Sequence, residues 1–270
     1  MTSMHIDRHK PGTFCWFELA TTDQNAAKQF YQSLFGWEST DSPIGPDDVY
    51  TMFTLNGRDV GAAYTMRPEQ RGQGVPPNWG LYVAVDDADE AAARTATLGG
   101  TVISPPFDVG EHGRMSVLQD PTGAVFSVWQ PKQHTGTGVS GVPHSVSWAD
   151  LNTRDQPRAA AFYSALFGWQ MTNGKEMKPA TPGSYYHIVN GPDFIGGVPP
   201  PQHGNPHAPP HWMIYVEVAD CPASTAKAKQ LGARAFVESL AIGNEGWFSV
   251  LQDPQGAVFA LHQGKDKDTH

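Results

Sequence analysis

Three segments of this chain occur twice in the same order, and this duplication restricts the folds open to it more than any other feature. FCWFELA at 14–20, followed by Phe30-Tyr31 and LFGW at 34–37, matches VSWADL at 146–151, followed by Phe162-Tyr163 and LFGW at 166–169. WGLYVAV at 79–85 matches WMIYVEV at 212–218, and SVLQDPTGAVF at 116–126 matches SVLQDPQGAVF at 249–259. The matching positions lie 132 residues apart at first and 133 later, so one residue is inserted on the way. Collinear matches of this kind mark a unit written twice. Residues 131–143 are rich in Gly, Thr and Ser, carry no hydrophobic period, and read as a short flexible linker. The expected organisation is one domain over 10–131, a linker over 132–143 and a second domain over 144–264.

Each copy alternates between two periodicities. Residues 13–20 alternate large apolar side chains with others, which predicts a strand. Thr22-Asp23 offers a helix cap, and Ala26, Ala27, Phe30, Tyr31 and Leu34 follow at helical spacing until Gly36 ends the helix. In the second copy Pro157 suits a first helical turn and Gly168 closes it. Strand-like runs follow near 50–55 and 60–66. The pattern then restarts with a strand at 81–85, an Ala-rich helix at 87–98, and strands near 101–104, 114–119 and 124–130. Each half of each copy reads βαβββ, giving four such units in an α+β chain.

Composition narrows the partners. The formal net charge is −9, and binding a phosphate backbone needs clustered Lys and Arg, so nucleic acid and anionic membrane surfaces are not expected. No apolar run is long enough to span a bilayer, and residues 1–10 lack the apolar segment of a secretory signal. Cys15 and Cys221 fall at non-equivalent positions of the two copies, which favours free thiols in a reducing cytoplasm over a shared disulfide framework.

The Phe-Tyr…Leu-Phe-Gly-Trp helix end and the Asp-Pro-x-Gly hairpin before a final strand resemble the vicinal oxygen chelate superfamily, the group of glyoxalase I, extradiol dioxygenases and bleomycin resistance proteins. The tandem arrangement resembles actinobacterial glyoxalase-like "hydroxylases", or 27–30 kDa antigens. The resemblance implies paired βαβββ modules whose mixed sheets form cupped clefts, two per chain, with ligands bound inside. In metal-using members it implies a ligand on the first strand, one at the start of the fifth, and a Glu on the last strand seven residues after the turn Asp. Here those positions hold Trp16 and Trp148, Gly80 and Met213 (or, one residue earlier, Trp79 and Trp212), and Ser127 and Ala260. The fourth-strand stretches 61–66 and 195–198 contain no carboxylate or imidazole. A divalent cation needs three or four converging N or O donors, so neither a metal nor another cofactor is expected.

Strand alternation places Glu18 on the face of Trp16, Asp150 on that of Trp148, and Trp129 and His262 on the faces of Ser127 and Ala260. Tyr82 joins Gly80, while Tyr215 and Glu217 join Met213. The candidate ligand-binding residues are therefore Trp16, Glu18, Tyr82, Trp129, Trp148 and Tyr215. The candidate catalytic residues are His262, Asp150 and Glu217. An aromatic-walled pocket with a carboxylate suits a small aromatic or amphipathic organic molecule, which points to sequestration, resistance or secondary metabolism. The rival readings are a metal-independent lyase, isomerase or hydroxylase-like enzyme, and a metal-dependent glyoxalase or dioxygenase with non-standard ligands. The repeated Trp could equally be inherited core, and Asp120 and Asp253 read as turn residues. A fused four-module chain can complete its own clefts, which favours a monomer over a dimer.

Overall fold

Each copy is arranged about one strand whose alternate side chains serve opposite faces of a sheet. The structure is a computed structural model describing residues 4–46, 48–174, 176–203, 207–243 and 245–265. The first copy comprises β1 (Met4–His5), β2 (Phe14–Thr21), α1 (Gln24–Phe35), β3 (Glu38–Pro43), β4 (Val49–Leu55), β5 (Arg58–Thr65), α2 (Pro68–Gly72), β6 (Asn78–Ala84), α3 (Ala88–Thr97), β7 (Thr101–Val109), β8 (Gly113–Gln119) and β9 (Val125–Pro131). After β10 (Val139–Ser140), the second comprises β11 (Val146–Asn152), α4 (Gln156–Phe167), β12 (Gln170–Thr172), β13 (Tyr186–Asn190), β14 (Asp193–Val198), β15 (His211–Glu217), α5 (Cys221–Gln230), β16 (Arg234–Ala241), β17 (Gly246–Gln252) and β18 (Val258–Gly264).

The strands form two eight-stranded mixed sheets with equivalent orders, β3-β4-β5-β2-β6-β9-β8-β7 and β12-β13-β14-β11-β15-β18-β17-β16. The expected α+β class and the βαβββ modules are both present. The first strand of each copy lies at the centre, parallel to the fourth and antiparallel to the fifth. The helix caps expected from sequence form: the Asp23 side chain accepts from the Ala26 amide at 3.0 Å, and Gly36 ends α1 at φ 72°. The polar strand β3 was not expected. Its sequence ESTDSP carries no hydrophobic signal, and it forms as an exposed edge paired along its length with β4.

One core spans both copies. Phe14 lies edge-on to Trp169 and Trp212 of the other copy, with ring centroids 5.6 and 5.3 Å apart. The Tyr31 hydroxyl donates to Asp253 at 2.9 Å, and the Trp169 indole donates to the Gly12 carbonyl at 2.8 Å. Asp253 is the turn residue expected, its Oδ1 accepting the amides of Gln255, Gly256 and Ala257, and its other oxygen ties the copies together. The sheets thus lie back to back, and their other faces carry separate aromatic clusters.

The linker departs from its flexible expectation. The Thr137 amide donates to the Cys15 carbonyl and the Gly138 amide to the Asp59 carbonyl, each at 2.8 Å, and β10 pairs with β1. His9, itself buried, lies 3.0 Å from the Thr137 carbonyl. Glycine and threonine here allow close backbone packing instead of freedom.

Candidate functional site

The outward faces of the two sheets hold the predicted residues. In the first cleft Trp16, Tyr82 and Trp129 cluster with Ala62 and Ala84, and Tyr50, Met52 and Met115 pack at the edge. Glu18, partly exposed, accepts from the Tyr50 hydroxyl at 2.7 Å and the Tyr82 hydroxyl at 2.8 Å, while Tyr50 accepts from the Trp16 indole at 3.0 Å. In the second cleft Met213, Tyr215 and Ala260 cluster with Trp148, Phe248 and Val250. Asp150, 4% exposed, accepts from Tyr185 at 2.6 Å, Tyr215 at 2.8 Å and the Trp148 indole at 2.9 Å. The two clefts therefore repeat one constellation: a tryptophan, two tyrosines, and a carboxylate that binds both hydroxyls.

Burial pushes the pKa values of Glu18 and Asp150 up, against the opposing pull of these hydroxyl donors. Burial, together with the neighbouring carboxylate, holds Tyr50, Tyr82, Tyr185 and Tyr215 well above the ordinary phenol value.

Tyr50 and Tyr185 were missed by the sequence reading. Their equivalence shows only in the folded register. Phe53 pairs with Gly61 and Ile188 with Gly196, so the residues three before, Tyr50 and Tyr185, occupy equivalent places.

Beyond the shared constellation the clefts diverge. Where the first has Ala84 and Trp129, the second has Glu217 and His262. The His262 Nδ1 lies 2.9 Å from Glu217 Oε2, and Glu217 also takes the Ser147 hydroxyl at 3.2 Å and the Gly264 amide at 3.1 Å. Burial works to raise the Glu217 pKa, but the His262 hydrogen bond and charge, with the other donors, bring it below the ordinary value. Of the three residues suggested for catalysis, Glu217 and His262 are joined directly. Asp150 lies close enough that a protonated His262 would lower its pKa, but its hydrogen bonds go to the aromatic side chains.

The first cleft is also covered by its own chain. The His134 ring, from the linker, stands edge-on to Trp16 at 4.5 Å and to Trp129 at 6.0 Å. The Trp129 indole donates to the His134 carbonyl at 2.9 Å, and the imidazole lies 3.6 Å from Asp59. Trp16 is left 5% exposed, whereas Trp148 is partly open.

The chain matches the family model described as "Glyoxalase/Bleomycin resistance protein/Dioxygenase superfamily" over residues 13–128, and one described as "Glyoxalase-like domain" over residues 148–262. It belongs to this superfamily. It is 41% identical over 255 residues to the Mycobacterium tuberculosis protein named "Putative glyoxylase CFP32", covering 94% of this chain and 95% of that one. It is 35% identical over 267 residues to the "Anthracycline biosynthesis protein DauV" of a Streptomyces species, covering 95% and 94%. The Mn(II)-bound glyoxalase from Novosphingobium aromaticivorans shares the fold, with a TM-score of 0.66 over 97% of this chain and 86% of that one, at 16% identity.

The residues at the metal positions do not fit a divalent cation. Trp16, Gly80 and Ser127 line the first cleft, Trp148, Met213 and Ala260 the second, and neither set supplies three donors. The nearby carboxylates Glu18 and Asp150 are engaged by tyrosines. Among the described residues no three His, Cys, Asp or Glu side chains are grouped to hold a metal.

Proposed function

We propose that this protein binds a planar aromatic or amphipathic organic molecule in its second cleft without a metal, in secondary metabolism or in sequestration of a toxic compound. The carrying observation is the constellation of Trp148, Tyr185, Tyr215 and Asp150 at the centre of a partly open cleft. Aromatic faces gain both apolar burial and ring–ring contact with a flat ligand. The relative named for anthracycline biosynthesis makes polycyclic aromatics the first compounds to try. The protein works as a cytoplasmic monomer in this reading, since each copy covers the other's hydrophobic back. No helix among the described residues is long and apolar enough to cross a membrane.

The test is a tryptophan-fluorescence titration with a panel of polycyclic aromatics, alongside elemental analysis of protein purified without chelator. Saturable quenching is expected at one compound per chain, weakened by Trp148→Phe and unchanged by Trp16→Phe. Stoichiometric Zn, Fe, Mn or Ni, or an absence of quenching by every compound, would overturn the reading.

A second reading, a metal-free enzyme, is favoured by one specific observation, the His262–Glu217 pair.

A further inference from the structure

We propose that the second cleft takes an aromatic ligand carrying an acidic hydroxyl, and that His262 Nε2 accepts the proton of that hydroxyl. The inference deepens the binding reading and rests on it. Each carboxylate of the cleft already receives three donors. Asp150 is supplied with donors by Tyr185, Tyr215 and Trp148, so the two phenolic protons are committed inward. The Tyr185 oxygen also receives the Trp148 indole, at 3.0 Å. Glu217 is supplied by His262, Ser147 and the Gly264 amide. What these groups still present to a ligand is lone pairs, so a donor is the matching partner.

An imidazole nitrogen is a better proton base than a carboxylate oxygen, and His262 supplies one beside these groups. An ionised carboxylate can only accept, so Glu217 fixes the proton on Nδ1 and leaves the lone pair on Nε2. Among the described residues no hydrogen bond to Nε2 is found, and the side chain is 28% exposed. Its strand neighbour Ala260 belongs to the same cluster as Trp148 and Tyr215, which places His262 on the cleft face. The first cleft serves as an internal contrast. It keeps the carboxylate and tyrosines but has Trp129 and Ala84 in place of the pair.

The step balances within the complex. The ligand O–H bond breaks, its electron pair stays on oxygen as an aryloxide, and an N–H bond forms at Nε2. The resulting imidazolium sits between that aryloxide and the Glu217 carboxylate. Of the charged or titratable groups among the described residues, Glu217 from β15 bonds His262 directly and Asp150 from β11 lies within electrostatic reach; Tyr215 from β15 and Tyr185 before β13 bond Asp150, His187 of β13 stands against Trp148 and Tyr185, and β17 contributes the apolar Phe248 opposite His262.

The test compares 2-hydroxyanthraquinone with 9,10-anthraquinone, the same ring system without a hydroxyl. Bound 2-hydroxyanthraquinone is expected to show its long-wavelength aryloxide band at least about one pH unit below the free compound, a tenfold shift in ionisation. His262→Phe should abolish that shift in whatever fraction of 2-hydroxyanthraquinone remains bound, and quenching by 9,10-anthraquinone reports whether the cleft is intact. Where Phe disturbs packing, His262→Gln serves in its place. Glu217→Gln should shrink the shift without removing anthraquinone binding, as expected of a residue that positions the base. A band at the free compound's pH, or a shift that survives both His262 variants, overturns the proton transfer and leaves aromatic binding standing. If neither compound quenches tryptophan fluorescence, aromatic binding itself fails, and the proton transfer with it.

Discussion

A carboxylate buried among aromatic rings is tolerable only while its donors are in place, and this sets what single residues do here. Tyr185→Phe removes a 2.6 Å donor from Asp150 and the oxygen that receives the Trp148 indole. Leaving such groups short of partners costs about 1–3 kcal/mol, to be read as a lowered urea midpoint with an unchanged slope. Tyr50→Phe should cost less, since Glu18 is partly exposed and water can replace the lost donor. Glu217 behaves oppositely with pH. Its folded pKa is depressed, so its contribution is present above the ordinary glutamate value near 4.5 and is lost as pH falls through the lower folded value. Wild type should therefore be more stable than Glu217→Gln at pH 7, and the difference should close in urea melts below about pH 4.5. The candidate site was partly legible at this scale. The family's ligand spacing marked which face turns to the cleft, and alternation then carried Trp16, Glu18, Tyr82, Trp129, Trp148, Asp150, Tyr215, Glu217 and His262 onto it, because a strand's period of two carries register along its length. Tyr185 was hidden because Tyr186 stands beside it, and alternation cannot say which of the two turns inward. His134 was hidden because a segment with no period gives no facing.

At the scale of elements, close backbone approach decides more than propensity. In β14, a Cβ on Gly196 would lie 2.4 Å from the Ala149 carbonyl and 3.1 Å from the Phe14 ring. Gly196→Ala must therefore push β14 from β11 and disturb the inter-copy core, at about 1–3 kcal/mol of overpacking. Gly61→Ala, where the approach to the Phe17 carbonyl is 2.8 Å, should cost less, and paired thermal melts rank them. The linker offers a sharper case. Gly136 has φ +111°, and a Cβ there would stand 2.3 Å from the Cys15 carbonyl. Gly136→Ala should lift residues 132–138 from the first cleft, making Trp16 accessible to acrylamide quenching while binding in the second cleft is unchanged. Helices and most strands were readable because caps, glycine stops and apolar periods are local signals. The edge strand β3 and the linker's packing were not, because their structure comes from partners distant in sequence.

The whole molecule is held by what the copies share. Phe14 fills the space beside Trp169 and Trp212, Tyr31 reaches Asp253, and Trp37 donates to the His144 carbonyl at 2.8 Å. Each buried aromatic is worth on the order of 2–3 kcal/mol in lost contact with water. A half-molecule would have to expose several of these rings, a sum comparable to the entire stability of a small domain. The duplication seen in sequence suggested two units joined by a tether, but a shared core joins them back to back. The intact chain should then unfold in one urea transition, with far-ultraviolet circular dichroism and tryptophan fluorescence superimposing. Residues 144–264 expressed alone should show secondary structure without a cooperative transition, and should bind a dye for exposed apolar surface. Two resolved transitions in the intact chain, or a cooperatively folded isolated half, would show that each copy's core is sufficient by itself and that the shared aromatic layer only docks finished domains. Tyr31→Phe separates the cases further. In a single cooperative unit it lowers the one midpoint for every probe, whereas in docked domains it would lower only the transition of the first copy, where Tyr31 also accepts the Trp79 indole, and leave that of the second where it was.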